Sequence, residues 1–243
     1  MKYRLDQLLL VRNLAPTRHK AQGLIAAAQV VVNGHTVDKA GTRFAEECVI
    51  EIKGDNCPYV SRGGLKIEAG LNHFGINPMG LICADLGAST GGFTDCLLQR
   101  GAVRVYAVDV GYGQLAWKLR QDPRVVVMER TNARYLTREA IPEELDMAVI
   151  DASFISLELL LAPIKDLLKA GGIVLALIKP QFEVGRGQVG KGGVVRDQSL
   201  KEEAIRKIER FAVTLGFQSF GTIPSPILGP KGNQEFLLSL GLP

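Results

Sequence analysis

The stretch ADLGASTGGFTDCLL, residues Ala84–Leu98, decides the fold because its three parts predict a strand, a tight turn and a helix. Gly87 permits the tight turn, while Gly91 and Gly92 let a ligand or a strand approach the start of the helix closely. The glycines follow neither the G-x-G-x-x-G spacing nor the G-K-[ST] ending of a phosphate-binding loop. Nucleotide phosphate is therefore not the obvious ligand of this turn.

Apolar runs without polar alternation recur along the rest of the chain, separated by segments with a helical pattern. These runs are LICADLG, VRVYAVDV, RVVVME, LDMAVID and GIVLALI. Such runs are typical of parallel strands that helices cover on both faces. We therefore predict a doubly wound, mostly parallel α/β sheet for residues 63–243, with a helix and two further strands at its end.

The composition is that of an ordinary soluble globular protein, since 47% of the 243 residues are apolar and 22% are charged. Four cysteines without a C-x-x-C pair and three histidines offer no zinc-site spacing, so we expect no metal and reduced thiols. We find no pattern of a signal peptide and no apolar run of membrane-spanning length. A cytoplasmic protein without membrane contact is the expectation.

The positive charge is concentrated at the start of the chain. Residues 1–43 contain seven Lys or Arg against two Asp, whereas the formal net charge of the whole protein is only +4. Such a basic head predicts contact with a polyanion. For residues 1–53 we predict two short helices, with Asp6 helping to cap the first and Thr17 capping the second, and a hairpin turning at Asn33-Gly34.

The strings RLDQLL, TRHKAQGLI and VVVNG in this head resemble the small RNA-binding domain named after ribosomal protein S4. The resemblance covers residues 1–53, and residues 54–62 follow as a linker. It implies contacts to the phosphate backbone of structured RNA. The residues implied are Arg4, Arg18, Lys20 and Asn33. The alternative is a basic face that only meets solvent.

The glycine-rich turn, with VDVGYGQLAWKL after the next strand, resembles the first motif of S-adenosylmethionine-dependent methyltransferases that have a doubly wound sheet. The resemblance implies S-adenosylmethionine as the cofactor and an antiparallel pair of strands at the end of the sheet. The implied binding residues are Asp85, Gly87, Ala88, Ser89, Gly91, Gly92, Phe93, Asp109, Val110 and Asn132. Two alternatives stay open, glycines that only permit tight packing and a dinucleotide enzyme, which would also place an acid at the second strand end.

Two predicted strands end in polar residues, MAVID at Asp151 and LALIK at Lys179. The carboxyl ends of strands in an open α/β sheet form the rim where ligands bind, although a plain ion pair is the alternative. With Lys66 and Glu235, these residues resemble the lysine–aspartate–lysine–glutamate tetrad of FtsJ-like enzymes that methylate ribose 2′-hydroxyls. We assign Lys179 to deprotonate or orient the hydroxyl and Asp151 to position both groups. The other two would set the local charge and hold the ribose.

Strings from end to end of the chain resemble the TlyA/hemolysin A family of ribosomal RNA 2′-O-methyltransferases. They are SRGGLK, DLGASTGGFTD, VDVGYGQL, DASFIS, KPQFEVGR, GKGGVVRD and NQEF. The resemblance implies methylation of a cytidine ribose, with ribosomal RNA or a ribosomal subunit as the partner of a monomeric enzyme. Without obvious terminal extensions, the chain is similar to the shorter form of the family, associated with large-subunit RNA. The rival predictions are a membrane-active hemolysin, which the older family name suggests, and a non-catalytic ribosome-binding protein.

The run after Lys179, residues 181–196, has five glycines and no apolar period. Its cations Arg186, Lys191 and Arg196 outnumber its acid, so we predict a mobile loop that does not pack and that closes over an RNA backbone. A disordered insertion with solubilising charge is the alternative.

Overall fold

The computed structural model describes residues 2–12, 14–15, 17–26, 28–52, 57–190 and 192–243, with only the backbone of Arg186 and Pro230. The chain divides into two compact units, Met1–Asn56 and Cys57–Pro243. Residues 54–56 of the predicted linker lie outside the described part.

The first unit combines two helices with short strands. In chain order its elements are β1 (Lys2–Arg4), α1 (Leu5–Val11), α2 (Arg18–Ala26), β2 (Val30–Val32), β3 (His35–Val37), β4 (Arg43–Ala45) and β5 (Ile50–Ile52). Strand β1 pairs with β4, and β2 lies between β3 and β5, all antiparallel. The predicted hairpin is present, because Asn33 and Gly34 between β2 and β3 both have positive φ, +50° and +82°.

The two predicted helix caps of this unit have different outcomes. Thr17 accepts a hydrogen bond from the backbone N–H of Lys20 at 3.2 Å, as predicted. Asp6 makes no capping bond, so that prediction is wrong. Its carboxylate is buried and instead accepts hydrogen bonds from the side chains of Arg4, Arg18 and Gln22. A ring of donors from two elements therefore satisfies this acid.

The second unit contains the large sheet. Its helices are α3 (Gly63–His73), α4 (Gly92–Gln99), α5 (Trp117–Arg120), α6 (Glu158–Leu167), α7 (Pro180–Glu183) and α8 (Gln198–Thr214). Its strands are β6 (Ile82–Leu86), β7 (Arg104–Val108), β8 (Val125–Met128), β9 (Leu145–Ile150), β10 (Leu168–Ile178), β11 (Gln218–Pro224) and β12 (Phe236–Gly241).

These strands, as described, form one sheet in the order β11-β12-β10-β9-β6-β7-β8. Strand β12 runs antiparallel to β10 and β11, whereas the pairs from β10 to β8 are parallel. The predicted doubly wound, mostly parallel sheet with a final antiparallel pair is confirmed.

Two apolar clusters cover the faces of this sheet. Neighbouring residues of β9 point to opposite faces, so Ile150 belongs to one cluster and Val149 to the other, and both are fully buried. Parallel pairing then brings the carboxyl ends together, because Leu86 lies opposite both Val108 and Ile150. The polar residues that follow these strands therefore share one edge of the sheet.

Candidate active site

Asp85, the last residue but one of strand β6, has a fully buried carboxylate. One oxygen, Oδ2, accepts from the backbone N–H of Thr94 at 3.0 Å and from its hydroxyl at 2.6 Å. The other, Oδ1, has no hydrogen-bond partner among the described residues. Burial raises the pKa of Asp85 to about 7, against the opposing effect of the Thr94 hydrogen bonds. The site thus holds an acid whose charge is costly and whose free oxygen calls for a donor.

Two positions of the turn after Asp85 require glycine, because each combines a positive φ with a close neighbour. Gly87 has φ +87°, and a Cβ atom there would lie 2.8 Å from the carbonyl oxygen of Asp151. Gly91 has φ +93° at the start of α4, and a Cβ atom there would lie 2.3 Å from Leu119 Cδ1. The turn is consequently pressed against the end of β9 on one side and against α5 on the other.

Three cavities follow one another along the carboxyl edge of the sheet. The first cavity, of about 290 Å³, is lined by residues 61–63, Lys66, Asp85, residues 87–90, Gly92, Phe93, Asp151 and residues 227–229. The second, of about 370 Å³, is lined by Gly87, Ser89, residues 108–110, Gln114, residues 131–133, residues 151–155 and Leu160. The third, of about 380 Å³, is lined by Ser153, Phe154, Lys179, Gln181, Phe182, Val189, Gly193, Lys231, Asn233 and Glu235.

Neighbouring cavities share wall residues, so they lie side by side in one groove-like edge of the sheet. Gly87, Ser89 and Asp151 line both the first and the second cavity. Ser153 and Phe154 line both the second and the third. A two-part ligand could therefore occupy the first two cavities while another molecule enters the third.

Asp109 organises the second cavity from the end of β7. Its Oδ2 accepts from the backbone N–H of Ser89 at 2.8 Å, and its Oδ1 accepts from that of Gly111 at 2.7 Å. Each oxygen keeps a second lone pair that could accept from a hydroxyl group. Asn132, also in this cavity, accepts from the backbone N–H of Arg134 at 3.1 Å.

The structure brings together nine of the ten residues implied for cofactor binding. Six line the first cavity, namely Asp85, Gly87, Ala88, Ser89, Gly92 and Phe93. The second cavity is lined by Asp109, Val110 and Asn132, and again by Gly87 and Ser89. Gly91 lines neither, and its contact with Leu119 gives it a packing role in the turn.

The four tetrad residues form two ion pairs. Lys179 Nζ lies 2.5 Å from Asp151 Oδ1 and donates to the Ser153 hydroxyl at 2.8 Å. Lys66 Nζ lies 2.5 Å from Glu235 Oε2. Glu235 is fully buried, and its carboxylate fits only because residue 229 is a glycine, where a Cβ atom would lie 2.1 Å from Glu235 Oε1.

Each ion pair joins a residue of the first cavity to a residue of the third. Lys66 and Asp151 line the first cavity, whereas Glu235 and Lys179 line the third. Both pairs thus lie in the wall between these cavities. A group held in the first cavity and a nucleophile held in the third would face the same charged residues.

Some residues of this site were not predicted. Ser153 binds Lys179 across 26 positions of sequence, and Thr94 binds Asp85 within the first turn of α4. Phe154 has φ +65°, is 90% exposed and lies 5.1 Å from the Phe182 ring at the third cavity. Ser153 and Phe154 belong to the string DASFIS, so their closeness to Asp151 in sequence could have identified them as residues of the site.

Comparison with known proteins follows the same division of the chain. The model of the FtsJ-like methyltransferase family matches residues 59–242. The chain belongs to the FtsJ-like methyltransferase family. A model of the S4 domain matches residues 4–49, at the start of the chain.

Individual relatives of this FtsJ-like chain extend over nearly its whole length. A protein of Mycobacterium tuberculosis (strain CDC 1551 / Oshkosh) named "16S/23S rRNA (cytidine-2'-O)-methyltransferase TlyA" is 47% identical over 98% of this chain and 89% of its own. The solved structure "Putative hemolysin from Streptococcus thermophilus" is 46% identical, with a TM-score of 0.79 over 99% of this chain and 88% of that chain.

The fold also recurs in a distant methyltransferase. A structure of magnesium protoporphyrin IX methyltransferase (ChlM) from Synechocystis PCC 6803 with bound S-adenosylmethionine has a TM-score of 0.51 at 14% identity. It covers 79% of this chain and 86% of that chain, and at this identity it shows the fold alone.

The S4 domain presents its predicted RNA-binding residues in different ways. Arg4 and Arg18 both contact the buried Asp6 carboxylate, at 3.0 and 3.1 Å, and their side chains are 38% and 54% exposed. Lys20 is exposed on α2. Asn33 accepts from the backbone N–H of Val49 at 2.9 Å, which ties the hairpin turn to the segment before β5.

The loop of the FtsJ-like unit after Lys179 is more structured than predicted. Residues 186–188 form a 3₁₀ turn, and Gly190 and Val194 form an isolated antiparallel bridge. Val195 is buried, and its backbone N–H donates to Asn233 Oδ1 at 3.0 Å. The prediction that this run does not pack is therefore wrong at Val195. Arg196 is exposed, whereas Lys191 and the side chain of Arg186 lie outside the described residues.

Proposed function

We propose that this protein transfers the methyl group of S-adenosylmethionine to the 2′-hydroxyl of a cytidine ribose in ribosomal RNA. The observation that carries the proposal is the pair of ion pairs, Lys179–Asp151 and Lys66–Glu235, between the first and third cavities. Membership of the FtsJ-like family supports the reaction, and the S4 domain supports an RNA substrate. The name of the relative that is 47% identical supports ribosomal RNA and cytidine.

The first two cavities suit the charge pattern of S-adenosylmethionine. Asp85 offers a buried oxygen that finds no partner in the described part of the chain and that an ammonium group would satisfy. Asp109 would accept from the ribose hydroxyls, and Asn132 would lie on the adenine side. When bound, S-adenosylmethionine supplies a sulfonium methyl group, which passes to the 2′-oxygen as the C–S bond breaks and its electron pair stays on sulfur.

Lys179 is the proposed group that prepares the hydroxyl. Its nitrogen contacts the Asp151 carboxylate, the Ser153 hydroxyl and, at 3.4 Å, the Asp151 carbonyl oxygen, so a substrate hydroxyl in the third cavity would take the place of the longest of these contacts. In its neutral form the amine takes the proton of the 2′-hydroxyl as the C–O bond forms. Asp151 and Ser153 hold the amine in this orientation from a rigid strand end.

Lys66 and Glu235 are proposed to hold the ribose and to balance the charge of the site. Because they pair at 2.5 Å in a buried wall, neither presents an uncompensated charge to the cofactor or the substrate. A charged wall that is already arranged needs no reorganisation when the reaction begins.

The RNA contacts are proposed to come from both units. Arg4, Arg18, Lys20 and Asn33 would meet phosphates and sugars from the S4 domain, and Arg186, Lys191 and Arg196 would do so beside the third cavity. We propose a monomeric, cytoplasmic enzyme whose partner is ribosomal RNA or a ribosomal subunit.

The test is incubation of the protein with methyl-labelled S-adenosylmethionine and ribosomal subunits that lack the modification, followed by mapping of the label. We expect 2′-O-methylcytidine, first of all in 23S RNA, and labelling about a hundredfold slower or more with Asp151→Ala. Label on a base, or stable subunit binding without transfer, would refute the proposal, the latter in favour of a non-catalytic ribosome-binding protein.

A lytic activity is the second candidate, since the solved structure that is 46% identical carries the name hemolysin. Within the described residues, no helix has the length and apolar character needed to cross a membrane. Release of haemoglobin from erythrocytes by the purified protein without S-adenosylmethionine would support lysis, and equal release by Asp151→Ala would separate it from methyl transfer.

A further inference from the structure

The third cavity contains an acceptor that the proposed methyl transfer does not use. Gln181 Oε1 is buried there and has no hydrogen-bond partner among the described residues. Glu235 also lines this cavity, and its Oε1 is a second buried acceptor for which the described residues provide no hydrogen-bond partner. Buried polar atoms in native proteins are nearly always paired, so unpaired acceptors on two residues of this lining point to an occupant that donates hydrogen bonds.

Gln181 stands directly beside the proposed reacting group. It belongs to α7, the single helical turn Pro180–Glu183, which begins immediately after Lys179. The next residue, Phe182, places its ring 5.1 Å from that of Phe154 in the same cavity. One turn of chain thus carries an amine, an amide oxygen and an aromatic wall.

The neighbouring positions of the Lys179 amine and the Gln181 amide match the neighbouring positions of the 2′-hydroxyl and the base in one nucleotide. The base is attached to C1′ of the ribose, and the reacting hydroxyl is attached to the adjacent carbon, C2′. A nucleotide that offers its hydroxyl to Lys179 must therefore place its base close by, and the aromatic wall around Gln181 suits a planar ring.

We propose that the third cavity is the pocket for the target base and that Gln181 Oε1 accepts a hydrogen bond from the 4-amino group of cytosine. This inference rests on the proposed function and deepens it, because it names the residue that determines the choice of base. Cytosine carries an amino donor at position 4, whereas uracil carries a carbonyl acceptor there. Uracil would place its own carbonyl against Oε1, so the amide would have to turn over and present its N–H₂ group, whereas cytosine is accepted in the orientation that the structure shows.

The test compares ribosomal subunits that carry cytidine at the mapped target position with subunits from cells whose ribosomal RNA genes encode uridine there. The wild type should methylate the cytidine subunits about tenfold faster or more, the scale of discrimination for one good base contact. Gln181→Met removes the acceptor with little change of shape and should bring the ratio close to one. Gln181→Glu keeps an acceptor oxygen and should retain the preference for cytidine.

The matched control is Gln198→Met, the same substitution at an exposed residue at the start of α8, which lines none of the three cavities. Unchanged S-adenosylmethionine binding by Gln181→Met shows that the variant is folded. A wild-type ratio in Gln181→Met would overturn base recognition by Gln181 while methyl transfer stands. No transfer by the wild type to either kind of subunit would overturn both proposals.

Discussion

Lys66 and Glu235 stand 169 positions apart in sequence, yet their side chains meet at 2.5 Å in the wall between the first and third cavities. Lys66 lies on α3 near the start of the FtsJ-like unit, and Glu235 directly precedes its last strand, β12. The pair therefore ties both ends of this unit together at the groove. Each residue alone resembles an ordinary surface charge in the sequence, and only the fold gives them a common place.

The first prediction concerns this buried pair. Lys66→Met should destabilise the protein by about 3–5 kcal/mol, because it leaves the Glu235 carboxylate buried and unpaired. The double variant Lys66→Met/Glu235→Leu should recover most of that loss, since both charges are then gone. Unfolding in urea measures the cycle. A loss in the double variant equal to the sum of the losses in Lys66→Met and in Glu235→Leu would show that the two charges do not depend on each other.

The second prediction concerns the proposed reacting pair. Lys179→Ala and Asp151→Ala should each slow methyl transfer by about a hundredfold or more, the scale for one general acid–base group, and should retain S-adenosylmethionine binding. Single-turnover rates and equilibrium dialysis give the two readouts. The control is Lys169→Ala, because Lys169 pairs with Asp146 at the opposite ends of the same two strands. Single-turnover rates within threefold of the wild type would refute the assignment of Lys179 and Asp151 as the reacting pair.

The third prediction follows from the pKa of Asp85, which burial raises to about 7. The ammonium group of S-adenosylmethionine should favour the ionised carboxylate, so affinity should rise between pH 6 and pH 8 and binding near pH 6.5 should release protons. Calorimetry in two buffers of different ionisation enthalpy measures this release. Asp85→Asn should bind more weakly with a flat pH dependence, and Asp122→Asn should behave as the wild type. Proton release unchanged in Asp85→Asn would assign the titration to another group.

The raised pKa of Asp85 makes the stability of the free protein fall with rising pH, whereas it makes the affinity for S-adenosylmethionine rise. Because the folded state binds this proton more tightly than the unfolded chain, whose Asp pKa is about 4, the contribution is full below that pH. It is lost as the pH rises towards 7. Cofactor binding and folding therefore depend on the charge of Asp85 in opposite directions.

The sheet could be predicted from sequence because its strands are long apolar runs buried on both faces, of which β9 and β10 are examples. Strands β1 and β4 of the S4 domain were missed, since each has only three residues and neither adjoins a turn signal such as the Asn33-Gly34 pair between β2 and β3. The tetrad was found through its resemblance to a family. No pattern in the chain itself joins Lys66 to Glu235.

Hydrogen bonds between distant residues account for most of what was missed. The Asp6 carboxylate was expected to cap α1, but donors from both Arg4 and α2 bind it instead. Asn233 donates to the carbonyl of Gly193 across 40 positions, and a glycine-rich sequence gives no indication of that anchor. Such bonds depend on tertiary placement, which neither propensity nor spacing records.

The fourth prediction concerns the S4 domain. Because phosphate contacts release counterions, Arg18→Ala and Lys20→Ala should each weaken RNA binding and lower the slope of log affinity against log salt by about one unit. Asp6→Asn should also weaken binding, since the Asp6 carboxylate holds both Arg4 and Arg18. Fluorescence titration with ribosomal RNA at several salt concentrations measures these slopes. The control is Arg210→Ala, which removes an exposed cation on α8. If Arg18→Ala and Lys20→Ala gave the same salt slope as this control, the basic face would be a solvated surface that does not bind RNA.

The fifth prediction concerns the loop between α7 and α8. Its five glycines make ordering costly in entropy, and the two hydrogen bonds of Asn233 to Gly193 and Val195 offset part of that cost. Asn233→Ala should therefore speed tryptic cleavage after Arg186, Lys191 and Arg196. Asn77→Ala removes an exposed asparagine whose side chain accepts a local hydrogen bond from the backbone N–H of Met79, and it should leave cleavage unchanged.

RNA should act on the same loop in the opposite direction. If the three cations meet phosphates, ribosomal RNA with S-adenosylmethionine should protect the wild-type loop from trypsin, and the closed loop would keep water away from the reacting hydroxyl. Replacing all three cations with Gln should slow methyl transfer while S-adenosylmethionine affinity stays near normal, because the described residues of this loop line the third cavity and not the first two. Equal cleavage with and without RNA, together with a triple variant as active as the wild type, would make this loop a spacer that Asn233 merely holds in place.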